Sequence, residues 1–288
     1  MGIENFLGGG IYMSYVEELF SVKDKVAFFT GGGGILASAI SEGLGKAGAK
    51  IVLTDINEQA LKNQVEKLKS MGITVEGFVM DAFNRDNIKD VADKVKSSFG
   101  RVDILLNAAG GNIPEAVVSD KVSFWDMPFE SIQKVVNINL FAGAIIPSQI
   151  FGKMMLENKD GGVIINFASM SSFRPLTKTI GYSAAKAAVA NFTQWFAVYV
   201  AKEYSPKIRV NAIAPGFLVT NQNRDLLLNK DGSLTPRGEA VIAHTPMGRF
   251  GEPEELVGTI IWLVSPASSF VTGVVVPIDG GFNAFSGV

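Results

Sequence analysis

The chain has 288 residues, 47% of them hydrophobic and 19% charged, with a formal net charge of -2. That length suits one large domain with a substantial core, and the near-neutral balance offers no basic excess for nucleic acid. Cysteine is absent and His244 is the one histidine, which excludes disulfides and thiolate catalysis and argues against a histidine-built metal site or a Ser-His-Asp triad.

The lack of cysteine is compatible with a reducing, cytoplasmic setting. No run of about 18 apolar residues argues for a membrane span. The first dozen residues contain no Lys or Arg and do not read as a signal peptide. Those first dozen residues are expected to be disordered or loosely docked, within an N-terminal extension over 1–20, with residues 21–288 forming one folded domain.

Apolar runs at 26–30, 51–54, 75–80, 104–106, 163–167, 209–214 and 274–278 read as strands. Between them, helical patterns span 35–47, 58–70, 87–98, 132–156, 182–204 and 254–264. Continuous Val/Ile-rich strands alternating with helices predict an α/β fold. Its single doubly wound parallel sheet would hold about seven strands, with helices on both faces. The polar segment 220–252, with Pro236 and Pro246, breaks the alternation and is expected to be a substrate lid.

The first strand runs into four glycines at 31–34, and a helical pattern follows at once. Glycines at a strand-to-helix turn let the backbone approach a pyrophosphate, which then sits at the positive end of the helix. Gly31, Gly33, Gly34, Ile35 and Leu36 are the candidate contacts. Asp55 closes the second strand about 20 residues on, where a carboxylate accepts hydrogen bonds from ribose hydroxyls. No Lys or Arg lies between Lys25 and Lys46 to receive a 2′-phosphate, so NAD is expected rather than NADP.

Tyr182 and Lys186 stand four residues apart, on one face of a predicted helix. An ammonium near a phenol favours the phenolate, so Tyr182 is a candidate general acid/base. Ser169 ends an apolar run thirteen residues upstream.

These parts together resemble the short-chain dehydrogenase/reductase family from about Lys25 to the end. The carrying motifs are TGGGG at 30–34, Asp81 after the third strand, NAAG at 107–110, Ser169, Tyr182 with Lys186, and PGFLVT at 215–220. One departure is a glycine turn shorter by one residue, with Leu36-Ala37 where the last glycine is expected. The resemblance implies that Asp81 and Ala82 hold the adenine and that Asn107, Ala108, Ala109 and Gly110 line the cofactor floor. It implies Pro215, Gly216, Leu218 and Thr220 on the nicotinamide side. Ser169 would donate to the substrate carbonyl while Tyr182 delivers the proton, and Lys186 would lower the Tyr182 pKa and bind the nicotinamide ribose, alongside Tyr182. Asn139 would hold a water in a proton relay. No metal is implied, and a homo-oligomer, with a tetramer favoured, is. The apolar helix stretch with Trp195, Phe196 and Tyr199 fits an interface and equally fits core packing.

Asn112, Ser171, Arg174, Asn223 and Arg224 are the candidate substrate contacts, a polar set suited to a hydroxylated, anionic small molecule. The strings AAGGNIPEA, FRPLTK, APGFLVTNQNR and the closing DGGFNAFSGV resemble the D-mannonate oxidoreductase (fructuronate reductase) subgroup. The implied reaction interconverts D-mannonate and D-fructuronate, with Arg174 and Arg224 as candidates for the sugar-acid carboxylate. Another polyol, sugar or 3-oxoacyl reductase, or a catalytically silent NAD-binding scaffold, are the competing readings.

Overall fold

Phe28 and Phe29 are adjacent in one strand and both fully buried, which only a sheet covered on both faces allows. A computed structural model describes residues 14–220 and 223–287 of the chain. It has seven strands: β1 Val26–Thr30, β2 Lys50–Asp55, β3 Val75–Val79, β4 Ile104–Asn107, β5 Gly162–Phe167, β6 Ile208–Pro215 and β7 Val275–Ile278. All pairings are parallel, in the order β3-β2-β1-β4-β5-β6-β7. The chain reverses its direction of winding between β1 and β4, and the crevice beyond their carboxyl ends is where open α/β sheets take ligands.

The helices are α1 Tyr15–Leu19, α2 Ile35–Lys46, α3 Glu58–Ser70, α4 Arg85–Phe99, α5 Phe129–Val136, α6 Ile146–Met155, α7 Ile180–Glu203, α8 Arg224–Leu227, α9 Pro236–Ala243 and α10 Glu255–Val264. Strand alternation sends Phe29, Leu53, Leu106 and Ile165 into one core with Ile40, Leu44, Leu256 and Leu263. Phe28, Val52, Leu105 and Ile164 enter the other, with Ile88, Val95, Phe151 and Val210.

Three expectations change in detail. The helix expected at 132–156 runs from Phe129 to Met155, with the stretch Asn137–Ile145 wound as a π-helix between α5 and α6. By length and composition this helix is apolar enough to cross a membrane, yet half of it is buried against the sheet and its neighbours. The end of the expected N-terminal extension, for which the sequence pattern assigns no secondary structure, carries α1, which Ser14 caps through a reciprocal pair with Glu17. Residues 1–13 of that extension lie outside the described residues. The expected lid carries structure of its own in α8 and α9, with Thr235 capping α9 and Pro236 in its first turn. Along α7, Trp195 is 56% exposed and stacks on Tyr199 at 4.9 Å, so that ring is not part of the core.

Candidate active site

The turn after β1 is dictated by steric room. Gly31 has φ +64, and a Cβ there would come within 2.8 Å of the Ala109 backbone, so glycine alone fits. Gly33 N–H donates to Asp55 Oδ2 at 3.0 Å, which ties the turn to the end of β2. Gly34 caps α2 without any side-chain hydrogen bond, and the first turn of α2 has no acidic residue. The free N–H groups at that end therefore face outward with the positive end of the helix dipole.

They face a cavity of about 360 Å³ lined by Gly31, Gly33, Gly34, Ile35 and Leu36. Ala108 and Gly110 line it beyond β4, Pro215 at the end of β6, and Gly216, Leu218 and Thr220 just after it. Ala37 lines it too, a small side chain where the usual motif has glycine. A dinucleotide fits this donor set: a cradle that side chains would fill, an uncapped helix start for the pyrophosphate, and a carboxylate at the end of β2.

Five expected cofactor contacts lie off the cavity lining. Asn107 is fully buried, and its Nδ2 donates to Asn166 Oδ1 at 2.8 Å and Ser148 Oγ at 3.0 Å, so its side chain ties β4 to β5 and α6 instead of lining the floor. Its Oδ1 has no partner among the described residues. Ala109 packs under Gly31 and donates its N–H to Thr30 Oγ1 at 3.1 Å. Asp81 and Ala82 follow β3 outside the cavity lining, where Asp81 Oδ1 accepts from Phe83 N. Asp55 is also off the lining and acts on the cavity through Gly33.

Ser169, Tyr182 and Lys186 all line the cavity. Lys186 is 5% exposed and its Nζ donates to Phe167 O at 2.7 Å. Burial holds its pKa down at about 8. The same Nζ lies 5.6 Å from the Tyr182 ring centre and would be 3.4 Å from a Cβ at Gly110, so it points at the cofactor side. The expectation that Lys186 draws the Tyr182 phenol toward neutrality is not met. Desolvation pushes that phenol above its ordinary value of 10, and the hydrogen bond with the Ser169 side chain offsets only part of the rise.

Asn139 is buried on the π-helical segment and does not line the cavity. Its Nδ2 donates to Gly111 O at 2.7 Å and Val135 O at 2.8 Å, and its Oδ1 accepts from Gly111 N at 3.1 Å. Both amide protons are thus engaged by backbone, and the residue clamps the loop after β4, leaving one lone pair for anything else.

The expected substrate contacts divide. Asn223 lines the cavity, but its Oδ1 accepts from Thr220 N and its Nδ2 donates to Leu218 O, so it braces the lid base. Asn112 follows the lining residue Gly111, and its Oδ1 accepts from Ile113 N. Ser171 is buried and off the lining; its N–H donates to Ser169 Oγ at 3.2 Å. Arg174 is exposed and its Nη1 donates to Phe285 O at 3.1 Å, which ties it to the C-terminal segment. Arg224 is exposed at the start of α8, beside Asn223. His244 packs edge-on against Phe282 at 4.8 Å. Sequence reasoning missed Phe167 and Ala168, both in the lining. Their position just before Ser169 was the available signal, because the residues closing a parallel strand share its ligand-binding edge.

The family model described as Enoyl-(Acyl carrier protein) reductase matches residues 34–283. A Bacillus subtilis protein named "Uncharacterized oxidoreductase UxuB" is 44% identical over 279 residues, covering 93% of this chain and 98% of its own. A provisionally named D-mannonate oxidoreductase from Haemophilus influenzae, solved with bound NAD, is 42% identical. It superposes with a TM-score of 0.87 over 95% of this chain and 100% of its own. A provisionally named NAD(P)-dependent gluconate 5-dehydrogenase from Beutenbergia cavernae, solved with NADP at low occupancy, is 31% identical. Its TM-score is 0.79 over 93% of this chain and 100% of its own. Breadth of match, sheet order and glycine turn agree: the chain belongs to the short-chain dehydrogenase/reductase family and is an NAD(P)-dependent oxidoreductase acting on CH–OH groups.

Proposed function

We propose that the protein interconverts a secondary alcohol and a ketone on a sugar acid, D-mannonate and D-fructuronate, with NAD. The observation that carries the reading is the convergence of Ser169, Tyr182 and Lys186 on the cavity that the glycine turn opens. When bound, the nicotinamide cofactor supplies or accepts the hydride. Tyr182 Oη gives a proton to the developing alkoxide in reduction and takes one from the alcohol in oxidation. Its raised pKa favours the protonated phenol at neutral pH, so oxidation should accelerate as pH rises. Ser169 Oγ, which already accepts from Ser171 N, keeps its own proton for donation to the substrate oxygen.

NAD is favoured because Asp55 puts a carboxylate at the end of β2, with Ile56 and Asn57 uncharged beside it, and a 2′-phosphate would meet that charge unpaired. The sugar-acid reading rests on the likeness to the D-mannonate oxidoreductase and on the polar lid base at Thr220 and Asn223. Arg224, one residue beyond Asn223, is our candidate for the carboxylate. The exposed Trp195 face of α7 supports a homo-oligomer. A spectrophotometric panel of D-mannonate, D-gluconate, mannitol and a 3-hydroxyacyl thioester, each with NAD and NADP, tests the reading. D-mannonate with NAD should give the highest kcat/KM, and a preference for the thioester or for NADP would refute it.

A further inference from the structure

Ser172 lies at neither end of the chemistry, yet its hydroxyl touches the backbone of two residues that do. Its Oγ donates to Lys186 O at 2.7 Å, and it accepts from Ser169 N at 3.3 Å. Ser169 closes the segment after β5, whereas Lys186 sits two turns into α7, and the contact spans 14 residues of sequence. Lys186 is thus held at both ends by one corner of the fold: Nζ by Phe167 O and the backbone carbonyl by Ser172. The short 3-10 turn Met170–Ser172 completes the corner, because Ser171 N donates to Ser169 Oγ.

This arrangement has a directional consequence. An N–H pointed at Ser169 Oγ occupies one of its lone pairs and leaves the hydroxyl proton free to turn into the cavity toward Tyr182. That orientation depends on the turn staying wound, and Ser172 pins the turn to α7. A carbonyl has two lone pairs, so Lys186 O can take the Ser172 hydroxyl without giving up its bond along the helix.

We propose that Ser172 is a positioning residue: it sets the Ser169 hydroxyl against Tyr182 and Lys186 by linking the backbones that carry them. It acts through other groups and touches no reacting atom. The inference rests on the assignment of Ser169, Tyr182 and Lys186 given above. Loss of the link lets the Ser169 turn drift, weakens its hydrogen bond to the phenol, and so costs turnover rather than cofactor affinity.

The test compares purified Ser172→Ala, Ser172→Thr and Ser172→Cys with the parent, using D-mannonate oxidation, or the best alcohol from the panel. We expect Ser172→Ala to lower kcat about ten-fold, the scale of one or two lost hydrogen bonds. The NADH dissociation constant should stay within about two-fold, since no cofactor contact changes. The acid limb of the kcat/KM–pH profile should move to higher pH, because in the free enzyme a phenol that loses the Ser169 hydrogen bond holds its proton more tightly. Ser172→Thr, which keeps the hydroxyl, should restore both kcat and the kcat/KM limb. Ser172→Cys, close in shape but a weak hydrogen-bonding partner, should move the limb in the direction of Ala even if Ala fails to fold. An unmoved limb in both Ala and Cys would overturn the proposal, as would Thr behaving like Ala. Ser169→Ala run alongside separates the two levels: if it keeps full activity, the assignment of the reacting group fails; if it is inactive while Ser172→Ala and Ser172→Cys match the parent, only the positioning role fails.

Discussion

The cofactor half and the substrate half of the cavity are built by different means. In the first, sheet register does the placing: Thr30 lies beside both Thr54 and Asn107, so the turns after β1, β2 and β4 must meet at one edge. Groups there act through backbone amides and small residues, and Gly33 bonded to Asp55 Oδ2 is typical. In the second, no ladder sets the positions. Side chains brace loops against one another, as Asn223 does at Leu218 and Arg174 does at Phe285, 111 residues away. A site half built on strands tolerates little change at its glycines, while the loop-built half can be altered one side chain at a time.

Gly31→Ala strikes the strand-built half hardest. Its φ of +64 and the 2.8 Å approach to Ala109 leave no place for a methyl group, so strain of about 1–3 kcal/mol should appear as a lower Tm together with lost NADH binding. Thermal melts with and without NADH check this; an unchanged melt would break the contrast.

Lys186→Met probes the seam between the halves. A shift from 10.5 to about 8 corresponds to an upper bound of about 3 kcal/mol of destabilisation in the folded state. Because the folded chain holds fewer protons here than the unfolded one between those values, the parent gains stability as pH rises from about 8 to about 10.5. Below about 8 the penalty is present in full. Lys186→Met should therefore melt higher than the parent at pH 7, with the gap narrowing toward pH 10.5, while turnover is lost.

The smallest effects fall in the loop-built half. Arg224→Ala should raise the KM for D-mannonate about ten-fold, the worth of a charge-assisted contact, and leave KM for NAD alone. Arg174→Ala should change KM by less than about two-fold, because its guanidinium serves the Phe285 carbonyl. Equal effects from the two arginines would remove the distinction drawn between them.

How far the sequence was legible follows the same division. The strand at Val26–Thr30 and the helix at Glu58–Ser70 have the bounds expected from their apolar pattern, because burial on a sheet or helix face is a periodic, local signal. The glycine turn and the Tyr182–Lys186 pair share a cavity because the parallel sheet brings the segments after its strands to one edge. Asn107 was legible as a strand end but not in its direction: its partners Asn166 and Ser148 are 59 and 41 residues away. The π-helical stretch around Asn139 looks like ordinary helix in apolar pattern, and the bonds of its side chain to Gly111 bridge 28 residues of sequence. Sequence shows the charge beside Tyr182 and hides the desolvation that raises its phenol.

In the proposed mechanism Tyr182 exchanges the proton, and the cofactor half of the site stands independently of it. Tyr182→Phe, assayed for D-mannonate oxidation and titrated with NADH by fluorescence, tests this most directly. kcat should fall by about 10³-fold, with the NADH dissociation constant within about two-fold of the parent. Full activity in the phenylalanine variant would contradict it.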